Sequence, residues 1–527
     1  MTARPLHQQY IIYKGSSGGG GENPDPATYC PANGYELPPD PAVFCPINGY
    51  TKPDEYVPPI EYPDPDPIDG DHILFLCNDE GAGGVNISLT TVPGGAGKSE
   101  IYDANMNLLS SANNTNVVFQ TQGTGNIYIV KIMPGAAERR ITGLSISYPA
   151  GYTKQALMVF QAKFYTPMLS SLSNAFSDII QFRQCLFFCP LDELTTLSGT
   201  FKNRGIEGSM TLPVMPKLTS LASTFEGTTL LWKVVIEGAT LPELTNMSST
   251  CYNSKIREFY FPPNLPKLDI INRCCGGSDI EYTTIPTYAP LLRLINGWFQ
   301  NCFKLKYSEL IFPEYPSLES GGSVIYGTSV RKIHFTGDSL NFSNVSYMFD
   351  GAPELQEIKF PDNIKGGGVS TDWQSWVRSN HVLKKIILPL SMPDFAPSNY
   401  FIQYPSLIEE ITTCNDWGTG THDISVASPR IKSFYQPALR VTKLFVGKAT
   451  PRSPLTDIEI DWANSDFTQL TSAVLLYGIM TTAEIERIYT ALPVIGIAKN
   501  ITIYSPGYAA ADKTIAQAKG WNTPGGA

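Results

Sequence analysis

Charge is scarce in this chain: Asp, Glu, Lys and Arg make up 16% of 527 residues, against about a quarter in an ordinary soluble domain. Basic clusters are missing, which removes the footing a phosphate backbone needs and argues against a nucleic-acid partner. No run of 18 apolar residues occurs, so no membrane insertion is expected. The start, "MTARPLHQQYIIYKGSSGGGG", has no apolar h-region, and the expectation is a protein that does not use ordinary export.

Catalytic and metal-binding patterns are equally thin. The five histidines, His7, His72, His334, His381 and His422, form no i, i+4 pair and have no C-x-x-C partner, so no metal and no cofactor are expected. Gly97, Lys98 and Ser99 resemble the end of a phosphate loop, but its first glycine would fall on Val92. No Ser-His-Asp or Cys-His set assembles, and the expectation is a protein that is not an enzyme. Asp457, Glu459 and Asp461 share one face of an alternating segment, read as a solvated strand face. Ten cysteines without framework spacing read as small buried hydrophobes in a reducing compartment.

What is present divides the chain into four parts. Residues 22 to 70 hold 13 prolines, ten Asp or Glu and one Lys, a composition that cannot bury a core and favours an extended arm over 1–70. Within it the word C-P-x-N-G-Y occurs twice, at Cys30 to Tyr35 and Cys45 to Tyr50. The pair reads as two Asn-Gly turns in a linker, as twin attachment points with Cys30, Tyr35, Cys45 and Tyr50 entering equivalent pockets on a neighbouring subunit, or, more distantly, as a Cys30 to Cys45 bridge or metal site. Residues 71–150 alternate in "HILFLC", "VNISLTTV", "NVVFQ", "NIYIVKIM" and "ITGLSISY", the pattern of a small β-sandwich-like domain.

Residues 151–465 carry a repeat. Leu169, Leu194, Leu218, Leu244, Leu268, Leu292, Leu318 and Phe342 follow one another at 24 to 26 residues. Seven positions after each stand Phe176, Phe201, Phe225, Cys251, Cys275, Phe299, Ile325 and Phe349, all apolar. Each unit closes with apolar-x-x-apolar-x-apolar, as in "IREFYF" and "LQEIKF". Such a unit buries its apolar face only against the next, so about twelve units stacked as a solenoid are expected. The rhythm blurs around "GGGVSTDWQSWVRS" and from 415 to 430, where insertions or loops are expected. The closing segment 466–527 reads as an α/β cap, with a helix opened by a Thr481–Glu484 capping box, a strand at 500–504 and a short helix to Trp521.

Units such as "YMFDGAPELQEIKFPDNI" and "WFQNCFKLKYSELIFP" resemble BspA-type leucine-rich repeats, and the ending resembles the cap of such arrays in Bacteroidetes surface proteins and their phages. The chain departs from the stricter leucine-rich consensus in lacking an asparagine ladder after the strand; Pro262, Pro313, Pro361 and Pro389 stand there instead. The resemblance implies a mainly β fold with short helices and a surface-recognition role. Combined with the arm, it implies a phage fibre or other virion appendage, assembled in the host cytoplasm. Its partners would be other virion structural proteins and a host receptor or glycan, and oligomerisation is compatible with that reading. A bacterial adhesin is the alternative, and a glycan depolymerase a more distant one. Trp232, Trp298, Trp373, Trp376, Trp417 and Trp462 are the candidate recognition aromatics. Most are expected to fill the core, and Trp373 and Trp376, in a glycine-flanked insertion, to be exposed.

Overall fold

The structure is a computed structural model that describes residues 71–524 apart from short internal segments, the longest being 148–156, 365–381, 388–407 and 413–421. The attachment residues Cys30, Tyr35, Cys45 and Tyr50 therefore lie outside the described residues, as do Trp373, Trp376 and Trp417.

The alternating segments form eight strands: β1 (Ile73–Asp79), β2 (Ala82–Val92), β3 (Gly97–Asp103), β4 (Leu108–Asn113), β5 (Asn116–Gln122), β6 (Ile127–Pro134), β7 (Arg140–Ser147) and β8 (Leu157–Phe164). Two antiparallel sheets, β4-β3-β6-β1-β8 and β5-β2-β7, face each other. Between them Phe75, Val130 and Ile132 pack with Ile87, Ile141 and Ile146 in one core. The phosphate-loop look-alike is the start of β3, where Lys98 pairs with Glu100 at 2.6 Å. No helix follows it, as the missing first glycine anticipates.

The sandwich leads directly into the solenoid. β8 is hydrogen-bonded antiparallel to β1 on one side and parallel to β9 (Gln184–Phe187) on the other. In the second sheet Gly143 of β7 forms a parallel bridge with Ser171. Both faces of the first turn are thus templated on strands already in place, and the apolar core runs unbroken from Ile73 to Trp521. A solenoid needs such ends, because an uncovered first turn exposes core and an unpaired strand edge.

From β9 onward the chain winds through about 11 turns. The apolar-x-x-apolar-x-apolar motif supplies one short parallel strand per turn, first Gly208–Leu212, Leu231–Ile236, Glu258–Tyr260 and Tyr282–Thr283. Seven more run from Glu309–Phe312 to Asp457–Ile460. The seven leucine anchors from Leu169 to Leu318 are fully buried, as are Phe176, Phe201, Phe225, Cys251, Cys275, Phe299, Ile325 and Phe349. Phe176, Phe201 and Phe225 stack successively, with centroids 5.6 Å apart in each pair. Each such ring removed from water stabilises the stack by about 1.5–3 kcal/mol. Cys77, Cys185, Cys251, Cys274, Cys275 and Cys302 are buried thiols, and burial pushes Cys77 and Cys302 up to about 12.

The return arc explains how the chain manages without an asparagine ladder. Two residues after each anchor a single parallel bridge links successive turns, from Ser171 through Thr196, Ser220, Asn246, Ile270 and Leu294 to Ser320. Beyond it, alternate N–H groups donate to the next turn, as in Gly199 to Ala222 O at 2.9 Å, Phe201 to Thr224 O at 2.9 Å and Asn203 to Glu226 O at 2.6 Å. Inside the arc Thr200, Thr224 and Thr250 form a buried column. Thr224 Oγ1 lies 2.7 Å from Leu221 O in its own turn and 3.0 Å from Leu197 O in the preceding one. Each of these carbonyls also accepts a backbone N–H, from Thr200 and Thr224, so the threonine hydroxyls add a second donor to buried acceptors and link one turn to the next.

The arc turns at two left-handed positions. Five residues after the anchors φ is positive at Asn174, Gly199, Ser223, Ser249, Arg273, Gly297 and Ser323. Nine residues after, it is positive at Asn203, Gly227, Asn253, Gly277, Asn301, Gly327 and Gly351. The second column holds only asparagine and glycine, the residues that adopt this conformation at least cost.

From His422 the arc itself becomes a parallel sheet: His422–Val426, Val441–Val446, Val474–Tyr477, Lys499–Tyr504 and Trp521–Asn522. The stretch expected as an insertion at 415–430 thus contains the first strand of this sheet, a five-residue segment too short for alternation to stand out. Helix α1 (Thr482–Ala491) has the full Thr481–Glu484 capping box and buries Ile485, Ile488 and Tyr489. Helix α2 is confined to Thr514–Gln517, and Trp521 enters the last strand instead of ending a helix. Trp521 is buried and donates from Nε1 to Pro493 O at 2.9 Å, while Lys519 Nζ donates to Leu492 O at 2.8 Å. Among the described residues no helix is long and apolar enough to cross a membrane.

Candidate functional site

In the strand motif the two residues after the first apolar position, and the one before the last, point outward. On three successive turns these outward positions hold Trp232 and Lys233, then Arg257, Glu258 and Tyr260, then Glu281 and Tyr282; Lys306 and Tyr307 follow. Lys233, Glu258 and Tyr282 are direct register partners across parallel strands. Arg257 stands one rung beyond Trp232, to whose carbonyl its N–H donates at 2.8 Å.

The four aromatic residues are half-buried, and a lysine lies against three of them. Lys233 Nζ lies 5.8 Å from the Trp232 ring centre and 5.4 Å from that of Tyr260, and pairs with Glu258 at 2.8 Å. Lys306 lies 5.7 Å from the Tyr282 ring and pairs with Glu281 at 2.5 Å. Tyr282 and Tyr307 meet edge to face at 6.2 Å. Tyr307 fixes the break between two segments of the sheet: its hydroxyl donates to Thr283 O at 2.5 Å and accepts from Thr283 N–H at 3.1 Å.

Burial, with the Glu258 carboxylate second, pushes the Tyr260 hydroxyl up to about 12. The hydrogen bond to Glu281 raises Lys306 above its ordinary value. Tyr260 therefore stays a neutral donor and Lys306 a cation at any physiological pH. Aromatic rings bordered by the Tyr260 hydroxyl and by cations suit a ligand with both apolar faces and polar edges, such as a sugar ring.

Neighbouring surfaces are arranged differently. From Glu309 onward the outward column alternates in sign, with Glu309, Lys332, Glu357, Lys385 and Glu410 in register. His334 sits between two of these carboxylates, Nδ1 2.6 Å from Glu309 and Nε2 2.9 Å from Glu357. That face is occupied with its own pairing. On the second sheet Tyr477 and Tyr504 stack at 4.4 Å and 5°, each covering a face of the other. A separate aromatic group lies at the turn corner, where Phe303 is 66% exposed beside Gly327, which leaves room for its ring.

Of the tryptophans singled out from sequence, Trp298 and Trp462 are core residues, Trp298 stacking on Phe299 at 4.8 Å. Trp232 alone among the described ones joins the outward strip. Tyr260, Tyr282, Tyr307 and Arg257 were not anticipated. Aligning the motifs from Leu231, Ile256 and Ile280 would have placed Tyr260, Tyr282 and Arg257 at outward positions. Tyr307 stands two after Leu305 as Tyr282 does after Ile280, but two extra residues before Leu310 break the motif there. His72 is buried and stacks on Tyr165 at 4.5 Å. Asp457 and Glu459 lie two apart on the strand Asp457–Ile460.

No protein-family model, curated protein or solved structure matches this chain.

Proposed function

We propose that this chain is a recognition protein of a phage particle, a BspA-like virion appendage that docks through residues 1–70 and binds glycan on the host surface through its solenoid. The observation that carries the binding half is the strip of Trp232, Tyr260, Tyr282 and Tyr307. It lies on successive turns of one face, half-buried, with its lysines already paired to carboxylates. A rigid sheet is a good support for such a site because the rings need no ordering on binding. The arm supports the docking half: 13 prolines and ten acids between 22 and 70 with twin C-P-x-N-G-Y words form a segment suited to order on a partner. In this reading the protein displays and binds, and performs no catalysis.

Two measurements test it. Deleting residues 1–70 should abolish incorporation into particles while the remainder still folds; normal incorporation would refute docking. Labelled full-length protein should bind host cells, and the double variant Trp232→Ala with Tyr282→Ala should lose that binding while Phe303→Ala keeps it. The adhesin alternative is favoured by the resemblance of the repeats to bacterial surface proteins; surface display in uninfected cells would decide for it.

A further inference from the structure

The strip and its border carry a charge excess that the aromatic rings do not explain. On the outward strand positions and the residue before each motif, from Lys233 to Tyr307, there are five cations, Lys233, Lys255, Arg257, Lys304 and Lys306, against three carboxylates, Glu258, Asp279 and Glu281. Lys233 and Lys306 each have a carboxylate of their own. Lys255 and Lys304 share Asp279, at 3.5 and 2.8 Å. Arg257 has no ion pair among the described residues. Its nearest carboxylate in the column, Glu281, is engaged by Lys306.

This local excess stands on a chain of net charge -10. Among the described residues Arg257 is the one charged group of the strip without an ion pair. It stands directly after Trp232 on the first outward column and before Glu281. A guanidinium binds a carboxylate through two parallel hydrogen bonds, which an ammonium cannot do.

Resting on the glycan reading above, we infer that the strip selects an acidic glycan, a uronate- or sialate-type chain whose sugar faces lie on Trp232 and the tyrosines and whose carboxylate is held by Arg257. Trp232, Tyr260, Tyr282 and Tyr307 stand on four successive turns, and neighbouring strands lie about 4.8 Å apart, so an extended chain running along the solenoid passes each of these turns. An acidic peptide would satisfy the charge but not the ring faces.

The test titrates the full chain calorimetrically with three probes: a galacturonate hexamer, the same hexamer with its carboxyls reduced to alcohols, and hexaglutamate. The galacturonate should bind at least tenfold more tightly than either of the others. Arg257→Gln should erase that advantage and leave the residual affinity of the reduced hexamer. Arg257→Lys, which keeps the charge and loses the fork, should fall between them, and it also serves should the Gln variant melt early. Equal binding of the two hexamers, both lost in Trp232→Ala, would overturn the acidic selectivity and leave the glycan reading standing. Hexaglutamate matching galacturonate would overturn the inference in favour of plain charge attraction. Failure of both hexamers to bind the wild-type chain would remove this inference and the glycan reading together.

Discussion

The early turns of the solenoid and its last turns close the same loop by different means. Between Leu169 and Phe335 the return arc touches the next turn through one isolated bridge, alternate N–H bonds and a column of buried threonines. Between His422 and Asn522 the arc is itself a parallel sheet. In the first arrangement side chains complete the hydrogen bonding that strands would otherwise supply, and left-handed residues bend the chain between inward positions. In the second, backbone pairs with backbone over several residues per rung. The requirement that no buried N–H or C=O stay unpaired is thus met by two backbone solutions around one continuous core.

Substitutions can break or sharpen this comparison. The largest effect is expected at the ring stack of the early turns, where Phe201→Ala removes the middle of the Phe176–Phe201–Phe225 column and should cost about 4 kcal/mol in urea unfolding. Next comes the late sheet. Gly447 has φ +91, and a Cβ there would meet the Tyr477 carbonyl oxygen at 2.1 Å. That obstacle is backbone and cannot swing away, so Gly447→Ala should cost about 3 kcal/mol. The early-turn counterpart is softer. At Gly227, φ +67, the added Cβ meets the Asn203 side-chain oxygen at 2.1 Å, so Gly227→Ala should cost about 2 kcal/mol. Adding Asn203→Gly should return part of it, which a double-mutant cycle would read; no recovery would mean that the backbone alone carries the strain.

Thr224→Val tests the hydroxyl column more gently, with an expected loss of about 1 kcal/mol, because the hydroxyl's one hydrogen is shared between the Leu197 and Leu221 carbonyls and both keep other donors. Smallest is a surface pair of the late turns. The Lys432 ammonium, 2.5 Å away, holds the Glu409 carboxyl below its ordinary range. A depressed carboxyl contributes stability that is present at neutral pH and lost as pH falls through its folded-state value. Because the pair is largely exposed, the contribution is about a few tenths of a kcal/mol. It should appear as a difference between wild type and Glu409→Gln that shrinks on acidification.

Much of this architecture is legible residue by residue. The anchor leucines and the aromatic or cysteine seven positions later announce both the turn length and the inward faces. The Asn and Gly column from Asn203 to Gly351 was equally available, and it marks the second bend of each turn. The capping box at Thr481 is a local signal and reads as one. Other features depend on neighbours distant in the chain. Trp298 and Trp232 both follow motif positions, yet one fills the core and the other faces out, according to whether the residue falls on the arc or on the strand. Nothing local in "HDISV" distinguishes a strand from a loop until Val441–Val446 lies beside it.

The sequence by itself determined that the chain is mainly β, that residues near 24 apart occupy equivalent positions, and which side chains those positions bury. That follows because apolar periodicity is a local property, fixed by how strands and bends alternate their side chains. Only the tertiary structure decided that the sandwich seeds both faces of the solenoid and that the arc becomes a sheet near its end. It also decided that Trp232, Arg257, Tyr260, Tyr282 and Tyr307 come together. Those outcomes are set by register between turns, and register is a relation between segments that no single segment encodes.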